Sequence, residues 1–176
     1  MGGAVTALRL RPAEDRDAEF LLRVRSDPQT VRASRHRAAP DPDLHALWLA
    51  GVLADPRRAL YVAEELEAPD TGQWARWVPV GYGRVDDLRH GVSELSLALA
   101  PEARGRGLAR RVIEAAVALD PHRCRVWHAE VRRENSRSLR AFLVAGWRLC
   151  GFEWRCAAPA EVSGFALLEG PGGQVA

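Results

Sequence analysis

"ELSLALAPEARGRGLARRVIEAA", residues 94–116, decides how this chain folds. Leu95, Leu97 and Leu99 alternate with small or polar residues, the period of a strand with one buried face. Further on, Leu108, Val112, Ile113, Ala116 and Leu119 recur at helical spacing. Between strand and helix, Gly105 and Gly107 let the backbone turn sharply and let an anion come close. The first N–H groups of a helix have no intrahelical partner and point outward, so a strand, glycine loop and helix in series form a phosphate-binding junction. Arg104, Arg106, Arg110 and Arg111 add positive charge around it. Two familiar phosphate loops are ruled out. The chain has no G-x-x-x-x-G-K-[ST], and "GRGLAR" lacks the third glycine and early position of the dinucleotide fingerprint.

Outward from this segment, elements alternate rather than cluster by type. Val5–Ala13 reads as a strand, and a helix through Phe20, Leu21, Leu22 and Val24 follows, stopping at Pro28. The stretch from Pro42 to Pro56 reads as a helix with a stripe of Leu44, Leu47, Trp48 and Val52. "RALYVAEELE" and "WVPVGYGRVDDL" read as an antiparallel pair. Beyond the helix ended by Asp120-Pro121, "RCRVWHAEV" is a strand. "NSRSLRAFLVAG" is a short helix capped by Asn135 and closed at Gly146, and "WRLCGFEWRCA" with "VSGFALLEG" makes a final hairpin. This order predicts an α/β domain with a mixed sheet. With 176 residues, 47% of them hydrophobic, the chain can bury one core. Residues 1–170 are expected to form a single domain and 171–176 a flexible tail.

Composition narrows the function. A formal charge of +2 argues against a nucleic-acid partner, and no apolar stretch is long enough for a membrane span. All 25 basic residues are arginine, which excludes lysine Schiff-base chemistry. Cys124, Cys150 and Cys156 lack the close spacing of a zinc site or disulfide framework, so a reduced, cytoplasmic setting and no metal are expected. Six tryptophans and an apolar C-terminal hairpin leave room for a homodimer surface.

The 94–116 segment resembles motif A of the GNAT superfamily of acetyl-CoA-dependent N-acetyltransferases, with R-x-x-G-x-A at Arg104, Gly107 and Ala109. Downstream, "AEVRRENSRSLRAFLVAGWRLCG" resembles the family's motif B through its N-x-x-S, its helix and the Gly146-Trp147 pair. The resemblance implies a mostly antiparallel sheet with a central, splayed parallel strand pair flanked by helices. It further implies acetyl-CoA as donor, with its pyrophosphate on the main chain of Arg104, Gly105, Arg106, Gly107, Leu108 and Ala109. The pantetheine arm would run along the main chain of Leu97 and Leu99, with Asn135, Ser138 and Phe142 beside it.

Amide formation needs an amine stripped of its proton and a thiolate able to leave. Glu94 is the first candidate base, because relatives often carry a carboxylate there. His128 and Glu130, sharing one face of their strand, are the next candidates, and a strand histidine without a nearby second ligand is not a metal site. Many relatives place a proton-donating tyrosine where this chain has Phe142, so Ser138 is assigned to the leaving thiolate. For the acceptor, Arg25, Arg32, Arg35, His36 and Arg37 could meet carboxylate or phosphate groups, or form a solvated basic loop. Three readings stay open: an N-acetyltransferase for a small-molecule amine such as a nucleotide-linked amino sugar, a protein N-terminal acetyltransferase, and a noncatalytic acyl-CoA-binding domain.

Overall fold

A computed structural model describes residues 7–67, 74–119, 125–158 and 161–171. The expected strand start at Val5, the Asp120-Pro121 stop, Cys124 and the tail from residue 172 lie outside the described residues. Seven strands form one sheet in the order β1 (Leu8–Pro12), β2 (Arg58–Glu67), β3 (Arg76–Asp87), β4 (Val92–Leu99), β5 (Val126–Arg132), β7 (Glu161–Glu169), β6 (Arg148–Ala158). Every neighbouring pair is antiparallel except β4 and β5. Those two run parallel for three register pairs only, Val92 with Val126, Ser93 with Trp127 and Glu94 with His128, and then part. The mixed, mostly antiparallel sheet with a splayed central pair is thus present.

Alternation along the strands builds a core on each face. Leu95, Val85, Trp127, Ala129 and Val131 pack under α4 (Leu108–Leu119) and α5 (Ser136–Val144), whose Ile113, Ala116 and Phe142 complete that layer. Leu60 and Val62 face the other way, against Leu21 of α1 (Ala18–Ser26) and Leu49 and Val52 of α3 (Pro42–Ala54). Two helix expectations need correction. Pro28 does not merely end a helix but starts α2 (Pro28–Ala33), because Asp27 accepts from the N–H groups of Gln29 and Thr30 while Pro28 supplies a pre-set first turn. On α3 the buried face is His45, Leu49 and Val52, whereas Leu44 and Leu47 are exposed. His45 is kept inside by Ala18 O, 3.0 Å from Nε2, and Arg25 Nη1, 3.2 Å from Nδ1.

Candidate active site

The loop between β4 and α4 is fixed by its own arginines. Gly105 and Gly107 have φ of +76° and +78°, and a Cβ built on either meets nothing within 4 Å, so open space lies beside this turn. Arg104 between them and the strand reaches back to α2. It donates to Asp27 Oδ1 at 2.5 Å, to Gln29 Oε1 at 3.1 Å, to Thr30 Oγ1 at 3.0 Å and to Leu99 O at 3.2 Å. Arg106 donates to Glu65 Oε2 at 2.6 Å, a carboxylate 3% exposed on β2. Arg110 pairs with Glu114 along the helix. Burial works against the Asp27 charge, but the Arg104 bond and the Thr30 N–H outweigh it and hold its carboxyl below the ordinary range. These ties leave the loop's main chain and the first turn of α4, beginning at Leu108 and Ala109, as its electropositive surface.

Beside the loop, the far edge of β4 opens. Ala100 N–H bonds to Val80 O, so in the antiparallel alternation Ala98 and Ser96 turn their main-chain groups toward β3, and Leu97 and Leu99 turn theirs away from it. Past Glu94 no register pair joins β4 to β5, and those groups, apart from the Leu99 carbonyl that Arg104 holds, face the widening gap. Leu97 and Leu99 meanwhile pack their side chains against the core under α4.

At the point where the strands part, three acceptor side chains converge. Glu94, 8% exposed, projects from β4, and His128 and Glu130 from β5, with ligand-type atoms all within 4.8 Å of one another. Arg35, just after α2, supplies positive charge there. Its Nη2 donates to both oxygens of Glu94 at 3.0 and 2.9 Å and to Glu130 Oε2 at 2.7 Å, while Nε adds a 3.1 Å bond to Glu130. His128 Nδ1 stands 3.9 Å from Glu94 Oε2, ion-pair distance rather than hydrogen-bond distance. Burial pushes the Glu94 carboxyl up, but His128 and the Arg35 guanidinium beside it outweigh that and hold it below its usual range.

A family model described as the acetyltransferase (GNAT) domain matches residues 7–148. The chain belongs to the GNAT acetyltransferase family. Among solved structures, a spermidine N-acetyltransferase from Vibrio cholerae in complex with CoA and spermine superposes with a TM-score of 0.78 at 17% identity, covering 92% of this chain and 94% of that one. A ribosomal-protein-alanine N-acetyltransferase from Brucella melitensis gives 0.69 at 22% identity, covering 91% and 97%. No curated protein matches the chain by sequence. Family membership makes acetyl-CoA the acyl donor and N-acetyl transfer the reaction. The glycine turn, the open space beside it and the outward main chain of β4 fit a pyrophosphate and a pantetheine arm.

Remaining residues of this acetyltransferase fall into distinct places. Asn135 caps α5 by accepting from Ser138 N–H at 3.2 Å, and Ser138 is half-buried on the first turn. Phe142 lies in the core, edge-on to Trp147 with ring centroids 4.8 Å apart. Arg25 stacks over Trp48 at 3.6 Å and meets His45. Arg32 and Arg37, with Gln29, Arg132, Glu134 and Arg137, line a cavity of ≈ 360 Å³ between α2 and the β5–α5 junction. Sequence reasoning missed the anchors Asp27 and Glu65, and it missed Arg132, which is 2% exposed and donates to Ser34 O at 2.7 Å and Arg35 O at 3.0 Å. Only Asp27 carried a local signal, as an Asp-Pro helix start.

No helix among the described residues is long and apolar enough to cross a membrane. Cys150 is a free, exposed thiol.

Proposed function

We propose that this acetyltransferase moves an acetyl group from acetyl-CoA to the primary amine of a small molecule, by direct attack in a ternary complex. The observation that carries this reading is the pair of nearly buried carboxylates, Glu94 and Glu130, set where the phosphate-loop strand parts from its parallel neighbour. An acceptor arriving as an ammonium is attracted there and gives a proton to Glu94 Oε. The freed nitrogen attacks the thioester carbonyl carbon, a C–N bond forms, and the C–S bond breaks with the electron pair leaving on sulfur. Main-chain N–H groups from Arg104 to Ala109 hold the donor's pyrophosphate, and Leu97 and Leu99 align its arm. Asn135 fixes the first turn of α5, which aims the Ser138 hydroxyl at the departing thiolate; the proton that the attacking nitrogen sheds as the amide forms goes to that thiolate and gives free CoA, while Glu94 returns the ammonium's proton to water. One amine and one acetyl thioester thereby give one amide and one thiol.

Thiol release from acetyl-CoA tests this across amino sugars, nucleotide-linked amino sugars, polyamines, amino acids and short peptides, against a no-acceptor control. Turnover with a free small amine is expected, and nucleotide-linked amino sugars are the finer candidate in that panel. Turnover with peptides alone would replace the reading by protein N-terminal acetylation. Acetyl-CoA binding with no turnover anywhere would leave a carrier domain without chemistry.

A further inference from the structure

We propose that Arg35 is the acceptor-specificity residue of this acetyltransferase: its guanidinium stands where the acceptor's ammonium binds, and an acceptor enters only by displacing it. The inference rests on the amine-acetylation reading and adds a residue to it. A single nitrogen, Nη2, is accepted by three carboxylate oxygens from two strands at 2.7–3.0 Å. A primary ammonium has three donors and the same charge, so it satisfies the same oxygens one for one. The place also matches. Glu94 is in the last register pair before β4 and β5 separate, where an arm lying along Leu97 and Leu99 would bring its thioester.

Exposure makes the exchange one-sided. The Arg35 side chain is 42% exposed, whereas those of Glu94 and Glu130 are 10% and 9%. The guanidinium, on a long and partly exposed side chain, can swing into water, whereas the carboxylates sit on paired strands. Its main chain stays in place, because Arg132 holds the carbonyls of Ser34 and Arg35 from below. Opening is therefore a side-chain rotation and not a loop movement.

Withdrawing Arg35 with nothing in its place takes its charge-assisted hydrogen bonds away from both carboxylates at once, a costly change. An incoming cation restores the charge the guanidinium took away and a neutral amine does not, so the gate favours ammonium ions over amines that arrive neutral. It also primes the base. Arg35 helps hold the Glu94 carboxyl low, and once the guanidinium has left and the ammonium has given up its proton, no such cation remains against that oxygen.

The test titrates propylammonium and ethylguanidinium into wild type, Arg35→Ala and Arg35→Lys, following the side-chain carboxyl ¹³C shifts of Glu94 and Glu130. A plug seated nine-tenths of the time weakens apparent binding about tenfold, so Arg35→Ala should bind both probes about tenfold more tightly than wild type. Arg35→Lys, which keeps a tethered cation, should stay near wild type. Equal affinity in wild type and Arg35→Ala, or weaker binding in Arg35→Ala, overturns the proposal. If Arg35→Ala fails to fold, Arg35→Gln takes its place under the same criteria. Acetyl-CoA affinity, measured separately by calorimetry, should be unchanged in all variants. Absence of acetyl-CoA binding to wild type would strike the amine-acetylation reading while leaving the probe titration to judge Arg35.

Discussion

The two ends of the proposed active site use arginine in opposite ways. On the donor side, Arg104 and Arg106 turn away from the open face of their loop and are tied to Asp27 and Glu65, so that main chain does the presenting. On the proposed acceptor side, Arg35 holds the two carboxylates to which the chemistry is assigned. On this proposal the donor end is pre-organised by its ion pairs, and the acceptor end is blocked by its own. A cofactor common to many chemistries suits a rigid cradle, and a selective acceptor suits a site that must be won by exchange.

Breaking the donor side should have the largest effect. Gly107→Glu puts a side chain at φ +78° and a negative charge on the cradle, so acetyl-CoA affinity should fall more than about 100-fold by calorimetry. Unchanged affinity would remove the phosphate assignment. On the acceptor side, Glu94→Gln keeps the shape but cannot take a proton, and kcat should drop about 10²–10³-fold while acetyl-CoA binding holds. Loss of acetyl-CoA binding instead would mean that the two ends are not separate.

Asp27→Ala sharpens the contrast more gently, removing the α2 cap and the Arg104 anchor together. Chemical denaturation should show a loss of about 1–2 kcal/mol. Because the folded Asp27 carboxyl lies below its ordinary value, its contribution is present above about pH 4 and lost as pH falls through that region. The gap between wild type and variant should therefore close in acid, and a gap constant down to pH 2.5 would deny the ion pair a role. The smallest effect is expected at Ser138→Ala, with kcat lowered about tenfold or less and KM for acetyl-CoA unchanged. An unaffected kcat would leave Ser138 as no more than a residue of the capped turn.

The local geometry of the proposed donor side is legible in the sequence because its parts are neighbours along the chain. Glycines that need positive φ, a strand leading in and a helix leading out all lie within residues 94–116, and Asn135 with Ser138 forms an equally local cap. The acceptor side is not, since Arg35 meets Glu94 across 59 residues and Glu130 across 95. Glu94, His128 and Glu130 were each visible as candidates, but their convergence depends on two strands pairing for three residues and then separating. The α3 face was misjudged for a related reason. Leu44 and Leu47 outrank His45 in hydrophobicity, yet Arg25 and the Ala18 carbonyl give the histidine a reason to be inside. Pro28 by itself reads as a stop, and the Asp27 cap in front of it makes it a start.

The short parallel stretch between β4 and β5 has a mechanical meaning as well. One lobe, β1 to β4, and another, β5 to β7, meet in the sheet through three rungs, so any breathing motion that parts the lobes widens the catalytic gap first. A donor arm lying along β4 would act as a splint across that joint. Acetyl-CoA should then slow amide hydrogen exchange in β5 as well as along its own path on β4, so that the shortest strand pairing in the sheet becomes a braced one during turnover.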